Sequence, residues 1–140
     1  MYKILHKRAL NPFVTWMDIE APLIAQKARA GQFIILRVNE TGERIPLTIA
    51  GHDAEKGTVT IIFQKAGGTT RLLDTLGEGD SILDFVGPLG RATEVGGYSR
   101  VAVVGGGVGC AIAYPEAKAL HDAGANVDMI AGFRSKDILM

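Results

Sequence analysis

The 140-residue sequence predicts a six-stranded antiparallel sheet or small β-barrel over residues 1–97, followed over residues 98–140 by a single β–α–β unit that opens as many nucleotide-binding α/β domains do but is too short to complete one. Three observations carry this expectation. Six short apolar or alternating runs come first, separated by turns rich in Gly, Asp and Asn, the spacing of an antiparallel sheet or small barrel. Then comes the unbroken apolar run Val101-Ala102-Val103-Val104, which suits a parallel strand buried on both faces. A run of glycines and a helix-like stretch separate it from a second apolar strand.

Taken in order, residues 2–7 form the first expected strand, and residues 13–19 the second, entered through the turn-forming Asn11-Pro12. Residues 32–38 follow Gly31, and the polar stretch 39–43 connects them tightly to residues 45–50. A further polar turn, 51–57, leads into residues 58–64 (TVTIIFQ), which are rich in β-branched side chains. The sixth strand, 81–86, is entered through Gly-Glu-Gly-Asp. One helix is expected among these strands, residues 70–76, stopped by Gly77. The second architecture has a strand at 101–104, a helix at 114–123 with Pro115 in its first turn and Gly124 closing it, and a strand at 127–131. The change of pattern puts the boundary near residues 96–99.

Composition narrows the partners. Fifteen acidic residues balance fifteen Lys and Arg, so no charge excess points to nucleic acid or to an anionic membrane surface. No apolar run approaches the ~18 residues of a membrane span, and MYKILHKRAL lacks the apolar centre of a signal peptide. With no membrane or nucleic-acid partner indicated, a cytoplasmic protein is the default. The single Cys110 excludes an internal disulfide framework and any cysteine-ligated cluster supplied by this chain alone. His6, His52 and His121 have no ligand-like spacing, and no metal site is expected.

Two stretches are candidates for chemistry. In GGTTRLLDTLG (residues 67–77) two glycines and two threonines precede a short helix, whose first N–H groups can hydrogen-bond an anion; Arg71 adds charge. The competing reading is that Thr69 or Thr70 merely caps a surface helix. Gly105-Gly106-Gly107-Val108-Gly109 lies between strand and helix, where glycines let a pyrophosphate approach the backbone. It lacks the Lys-Ser/Thr of a phosphate loop, and Gly105, Gly107 and Cys110 would fill the three places of GxGxxG. The strand that follows ends in Gly132-Phe133-Arg134 instead of an acid, and the competing reading is a tight turn. Cys110 beside it reads as a small buried residue or as a thiol with a lowered pKa.

In their order, ERIPLTIA (43–50), IIFQKAGGTTRLL (61–73), LDFVGPLG (83–90), VAVVGGGVG (101–109), YPEAKAL (114–120) and AGFRSKD (131–137) resemble the ferredoxin–NADP reductase family. Within it the chain is most similar to the electron-transfer subunits of dihydroorotate dehydrogenase and the small subunit of NADH-dependent ferredoxin–NADP oxidoreductase (sulfide dehydrogenase subunit beta). The resemblance implies a flavin-binding barrel before a nucleotide-binding domain. It implies FAD and NAD(P) as cofactors, with electrons passed between NAD(P)H and an iron–sulfur centre or ferredoxin. Thr48 would then offer its hydroxyl to flavin N5, the catalytic position, beside Ile45, Pro46 and Leu47 along the ring. Arg44 stands one place before the family's phosphate-binding arginine, whose slot is Ile45. Ile62, Phe63 and Gln64 would follow the ribityl chain; Gly68, Thr69 and Thr70 would hold the pyrophosphate. Gly105, Gly106, Gly107, Val108 and Gly109 would form the nicotinamide-nucleotide site.

The implied partner is a catalytic or iron–sulfur flavoprotein subunit, with ferredoxin as a further candidate. Family members continue well past residue 140 and add a four-cysteine segment for a [2Fe–2S] cluster, so Met140 reads as a truncation point. The fragment is expected to hold flavin but not to turn over NAD(P)H alone, and its strand at 127–131 to present an apolar edge. The alternative is a flavin-free docking module of a multi-subunit complex.

Overall fold

A computed structural model describes residues 1–140. Alternation of apolar and polar residues builds two antiparallel sheets around one core. Strands β1 (Tyr2–Asn11) and β2 (Val14–Glu20) form a hairpin in which Lys7 faces Met17 and Ala9 faces Thr15. After a short helix, α1 (Pro22–Lys27), come β3 (Phe33–Arg37), β4 (Arg44–Thr48), β5 (Gly51–Asp53) and β6 (Thr58–Gln64). Helix α2 (Gly68–Asp74) leads to β7 (Ser81–Ile82) and β8 (Asp84–Leu89). One sheet has the order β5-β6-β2-β1-β7 and the other β4-β3-β8.

The expected six-stranded barrel is corrected here: the hydrogen-bond ladder forms no closed sheet. Two segments instead change sheets at bends. Residues 44–53 pair first with β3 and then, past Ile49 and Ala50, with β6. Residues 81–89 pair first with β1 and then, past Leu83, with β3. Strands that switch sheets in this way make the corners of a packed pair. Seventeen buried side chains fill the space between, and the alternating sets Ile34, Leu36, Val38 and Val59, Ile61, Phe63 supply facing layers.

The helices differ in detail from expectation. α1 was not foreseen: with six residues it is too short to show a helical period, yet it buries Ile24 and Ala25 and carries Pro22 in its first turn. α2 starts at Gly68 and stops at Asp74, earlier at both ends than residues 70–76.

Beyond the sheets, β9 (Arg100–Gly106) and β10 (Asn126–Gly132) pair in parallel, with a 3-10 turn at Gly107–Gly109 and helix α3 (Cys110–Asp122) between them. α3 begins four residues before the expected 114, so Pro115 lies inside the helix, not in its first turn. Its ring is buried, and only one intrahelical N–H is forfeited. A link ties α3 to the antiparallel sheets: the Thr93 hydroxyl donates to Glu116 at 2.6 Å while its amide donates to Ala30 at 3.0 Å. On the face of β9–β10 turned to solvent, Val104 is 69% and Ile130 56% exposed. No helix is long and apolar enough to cross a membrane.

A polar knot fixes α2 against the sheet. Buried Thr15 donates to Asp74 at 2.6 Å, Lys65 lies 3.5 Å from the same carboxylate, and Lys7 donates to the carbonyls of Asp74 and Leu76. Desolvation pushes the Asp74 carboxyl up, but the Thr15 hydrogen bond and the Lys7 and Lys65 charges together outweigh it and hold the carboxyl below its usual range. A depressed folded pKa contributes stability above the unfolded value, about 3.9, that is lost as pH falls through the folded value. Asp74→Asn should therefore unfold more easily than wild type at pH 7, by about 2 kcal/mol. Thermal melts from about pH 5 to pH 2 should show a shallower loss of stability in that variant; parallel slopes would refute the assignment.

Candidate functional site

The first candidate segment is β4. It sits at the edge of its sheet, paired with β3 alone, so one side of the Arg44–Thr48 backbone faces no strand. Pro46 fits there because an edge strand needs no ladder bond from every N–H. Ile45 and Leu47 lean on the core, whereas Pro46 is exposed and Thr48 half-buried. Arg44 is committed elsewhere. It faces Arg37 across the strands, and both guanidinium groups meet one oxygen of Asp84, Arg37 at 2.8 Å and Arg44 at 3.3 Å. Two cations on one half-buried carboxylate fix the corner between β3, β4 and β8.

The second segment runs from the end of β6 into α2. Phe63 points into the core and is 2% exposed, so only its backbone can meet a ligand; Ile62 and Gln64 lie on the other face. At the turn, the Thr70 hydroxyl accepts from the amides of Ala66 and Gly67, both at 3.0 Å, and donates to the Gly67 carbonyl at 3.1 Å. Neither threonine is the N-cap, a place Gly67 takes: Thr70 stands at the third helical position, and its side chain closes the loop by reaching back to the cap amide. Its helix partners being absent by geometry, the amides of Gly68, Thr69 and Thr70 are left as donors. A Cβ at Gly67 or Gly68 would meet nothing within 4 Å, so the loop borders open space.

The third segment is the glycine turn. A Cβ at Gly105 would lie 3.0 Å from the Cα of Cys110 and 3.2 Å from the Cβ of Ala113. This glycine lets α3 approach β9. Gly107 has φ +56°, the left-handed region. Cys110 is buried and unbridged, as the small-residue reading expects.

At the carboxyl ends of β9 and β10 a cleft of about 510 Å³ opens between this turn and the five-stranded sheet. Gly107 and Val108 line one side and Val14 and Gln64 the other, with Phe133, Arg134 and Ser135 at its end. Ligands of parallel sheets settle at this end of the strands. The cleft joins Gln64 to the glycine turn, but it encloses neither residues 44–48 nor the Gly68–Thr70 loop. Asn11 and Phe13 also line it, and Asn11 donates to the Ile138 carbonyl at 3.0 Å. Neither was a candidate from sequence, where Asn11-Pro12-Phe13 reads only as a turn.

No protein-family model matches the chain. An uncharacterized protein of Clostridium beijerinckii is 49% identical to it, matching the whole chain and 50% of that protein. The dihydroorotate dehydrogenase B (NAD(+)) electron transfer subunit homolog of Thermotoga maritima is 46% identical, over 96% of this chain and 47% of that one. The chain thus spans about half the length of the curated relatives it matches. Among solved structures, one of the NADH-dependent reduced ferredoxin–NADP oxidoreductase superposes on the whole chain and 51% of its own, with TM-score 0.96 and 44% identity. Phthalate dioxygenase reductase, at 18% identity and TM-score 0.79, shares the fold. The chain is homologous to the Clostridium beijerinckii and Thermotoga maritima proteins and to the oxidoreductase over the part of each that it matches, and it has the ferredoxin reductase-like fold.

The contrast between neighbouring glycines is testable. Gly105→Ala should lower stability by about 1–3 kcal/mol, because α3 must retreat from β9. Gly106→Ala, with nothing within 4 Å of the added methyl, should leave the melting temperature nearly unchanged. Equal melting temperatures for the two variants would show that the helix contact at Gly105 is not limiting.

Proposed function

We propose that this chain is the flavin-binding portion, with the beginning of the pyridine-nucleotide domain, of an electron-transfer subunit in a multi-subunit NAD(P)H oxidoreductase. The division into residues 1–97 and 98–140 belongs to this reading, as does the use of the two joined sheets as a six-stranded flavin barrel. The observation that carries it is the coexistence of an unpaired β4 edge and a loop of free amides at Gly68–Thr70, on a chain homologous to such subunits.

The residues fit FAD. A bound flavin supplies the hydride and electron chemistry, so the chain need contribute only binding, orientation and electrostatics. The unpaired side of β4 can hydrogen-bond the rim of a flat ring, and the exposed Pro46 can support its face. Thr48 holds a hydroxyl at the site assigned to N5. The amides of Gly68, Thr69 and Thr70 suit a pyrophosphate, with the Thr69 hydroxyl as a further donor and Arg71 as the charge beside it. Thr70 acts through the loop it closes. At the glycine turn, Gly107, Val108 and Gly109 offer backbone to a nicotinamide nucleotide in the cleft against Gln64. Gly105 and Gly106 shape that turn, Gly105 by letting the helix close in. The partner in this reading is a catalytic or iron–sulfur subunit, with ferredoxin as an alternative acceptor. A [2Fe–2S] cluster does not fit residues 1–140, whose one cysteine is far short of four ligands.

One observation favours the flavin-free docking alternative: the arginine of β4 is held by Asp84, away from any phosphate duty, and Ile45 takes the family's slot. The visible spectrum of the purified protein, with and without added FAD, decides between the readings. Bound FAD, released intact on denaturation and lost in Thr48→Ala/Thr70→Ala, is the expected result. A folded, colourless protein that takes up no FAD would leave the docking module standing.

A further inference from the structure

A second cleft, of about 730 Å³, lies between the outer face of the five-stranded sheet and the flank of α3. Its volume is that of a small-molecule site, and no residue that the flavin or pyridine-nucleotide reading uses lines it. At its floor stands Asp18. One carboxylate oxygen accepts from the Trp16 indole N–H at 3.1 Å and from the buried Thr60 hydroxyl at 2.5 Å. Those two donors lock the rotamer and leave the second oxygen without a partner in the chain. Two aromatic rings face the space from opposite walls, Trp16 from β2 and Tyr114 from α3. Arg8 lies 4.9 Å from the Trp16 ring centroid, which holds the indole in place. Arg29 and Lys56 at the rim carry no ion pair, whereas the nearby Lys118 is engaged with Asp122 at 3.1 Å.

A fixed acceptor, two aromatic walls and two uncommitted cations describe a complementary ligand. It is a flat heteroaromatic ring with an N–H edge and an anionic tail. We propose that this cleft binds a purine nucleoside monophosphate, its N–H edge on the free Asp18 oxygen, its base beside Trp16 and Tyr114, and its phosphate on Arg29 and Lys56. The site is separate from the flavin and stands whether or not the flavin reading holds.

Trp16 is the only tryptophan in the chain, so its fluorescence reports this cleft directly. GMP and AMP would be titrated into the FAD-saturated protein with emission excited on the red edge of the indole band. The expected result is a saturable change for at least one of them. Asp18→Asn keeps the acceptor that Trp16 and Thr60 use but removes the charge, and should weaken binding about tenfold or more. Arg29→Ala/Lys56→Ala should weaken it as well and flatten its salt dependence. No response to either nucleotide would overturn the proposal, as would an unchanged affinity in Asp18→Asn. Equally decisive would be loss of the response when FAD is added to flavin-free protein, since the cleft would then be part of the flavin site.

Discussion

The free edge of β4 is the constraint around which the molecule is arranged. Two sheets enclosing a core could finish their hydrogen bonding by closing on each other, and here they do so only at the bends near residues 49–50 and 83. Along Arg44–Thr48 the ladder stops, leaving backbone donors and acceptors that a strand would normally use. An unpaired edge invites association with other chains, and proteins blunt it with prolines, charges and short length. β4 has all three: Pro46 in its middle, Arg44 at its start and only five residues. What remains is an edge that refuses another strand but can still serve a flat polar ligand.

The core must stay sealed beside that opening. Ile45 and Leu47 turn toward the 17-residue cluster while their neighbours face outward, so the edge strand is anchored by packing on one face only. Electrostatics supplies the rest. Asp84 gathers Arg37 and Arg44 at the near corner, and Asp74 gathers Thr15, Lys7 and Lys65 under α2. Each carboxylate joins segments far apart in sequence, and the Asp74 pairs, reinforced by the buried Thr15 hydroxyl, are the better shielded of the two sets. The loop of Gly67–Thr70 leads into α2, whose far end the Asp74 knot fixes, so the loop is carried by a rigid scaffold.

Much of this was legible in the sequence, for identifiable reasons. The strands of the first half show their period-two alternation, and the apolar run at 101–104 announced a different kind of sheet. The open side of β4 was not read from the sequence, although Pro46, which lacks an N–H, fits an edge strand once the pairing is known. The ion-pair partners were not legible. Nothing near Arg44 in sequence names Asp84, 40 residues away, as its partner, and Thr15 and Asp74 meet across 59. α1 was too short for a period to show. The start of α3 was hidden because the glycine turn runs into it without a capping side chain, and Pro115 suggested a boundary that packing overrode. The cleft at the glycine turn was half visible: its glycines stand out in the sequence, but Asn11 and Phe13 reach it from a hairpin a hundred residues away.

The register of β2 against β6 explains how two clefts share one sheet face. Outward pairs follow one another along the two strands: Val14 with Gln64, then Trp16 with Ile62, then Asp18 with Thr60. The first pair lines the cleft at the glycine turn, and the last lines the cleft under the flank of α3. Four residues of extended chain separate them, about 13 Å. Between them β6 touches the glycine turn, and that contact divides the face. A slip of β2 by one residue against β6 would turn Asp18 inward and bring Ile19 to the surface, at a cost set by the core. The packing that holds the two sheets together therefore also fixes the spacing and the chemical contrast of the two clefts, one rich in glycine backbone and the other in fixed charge.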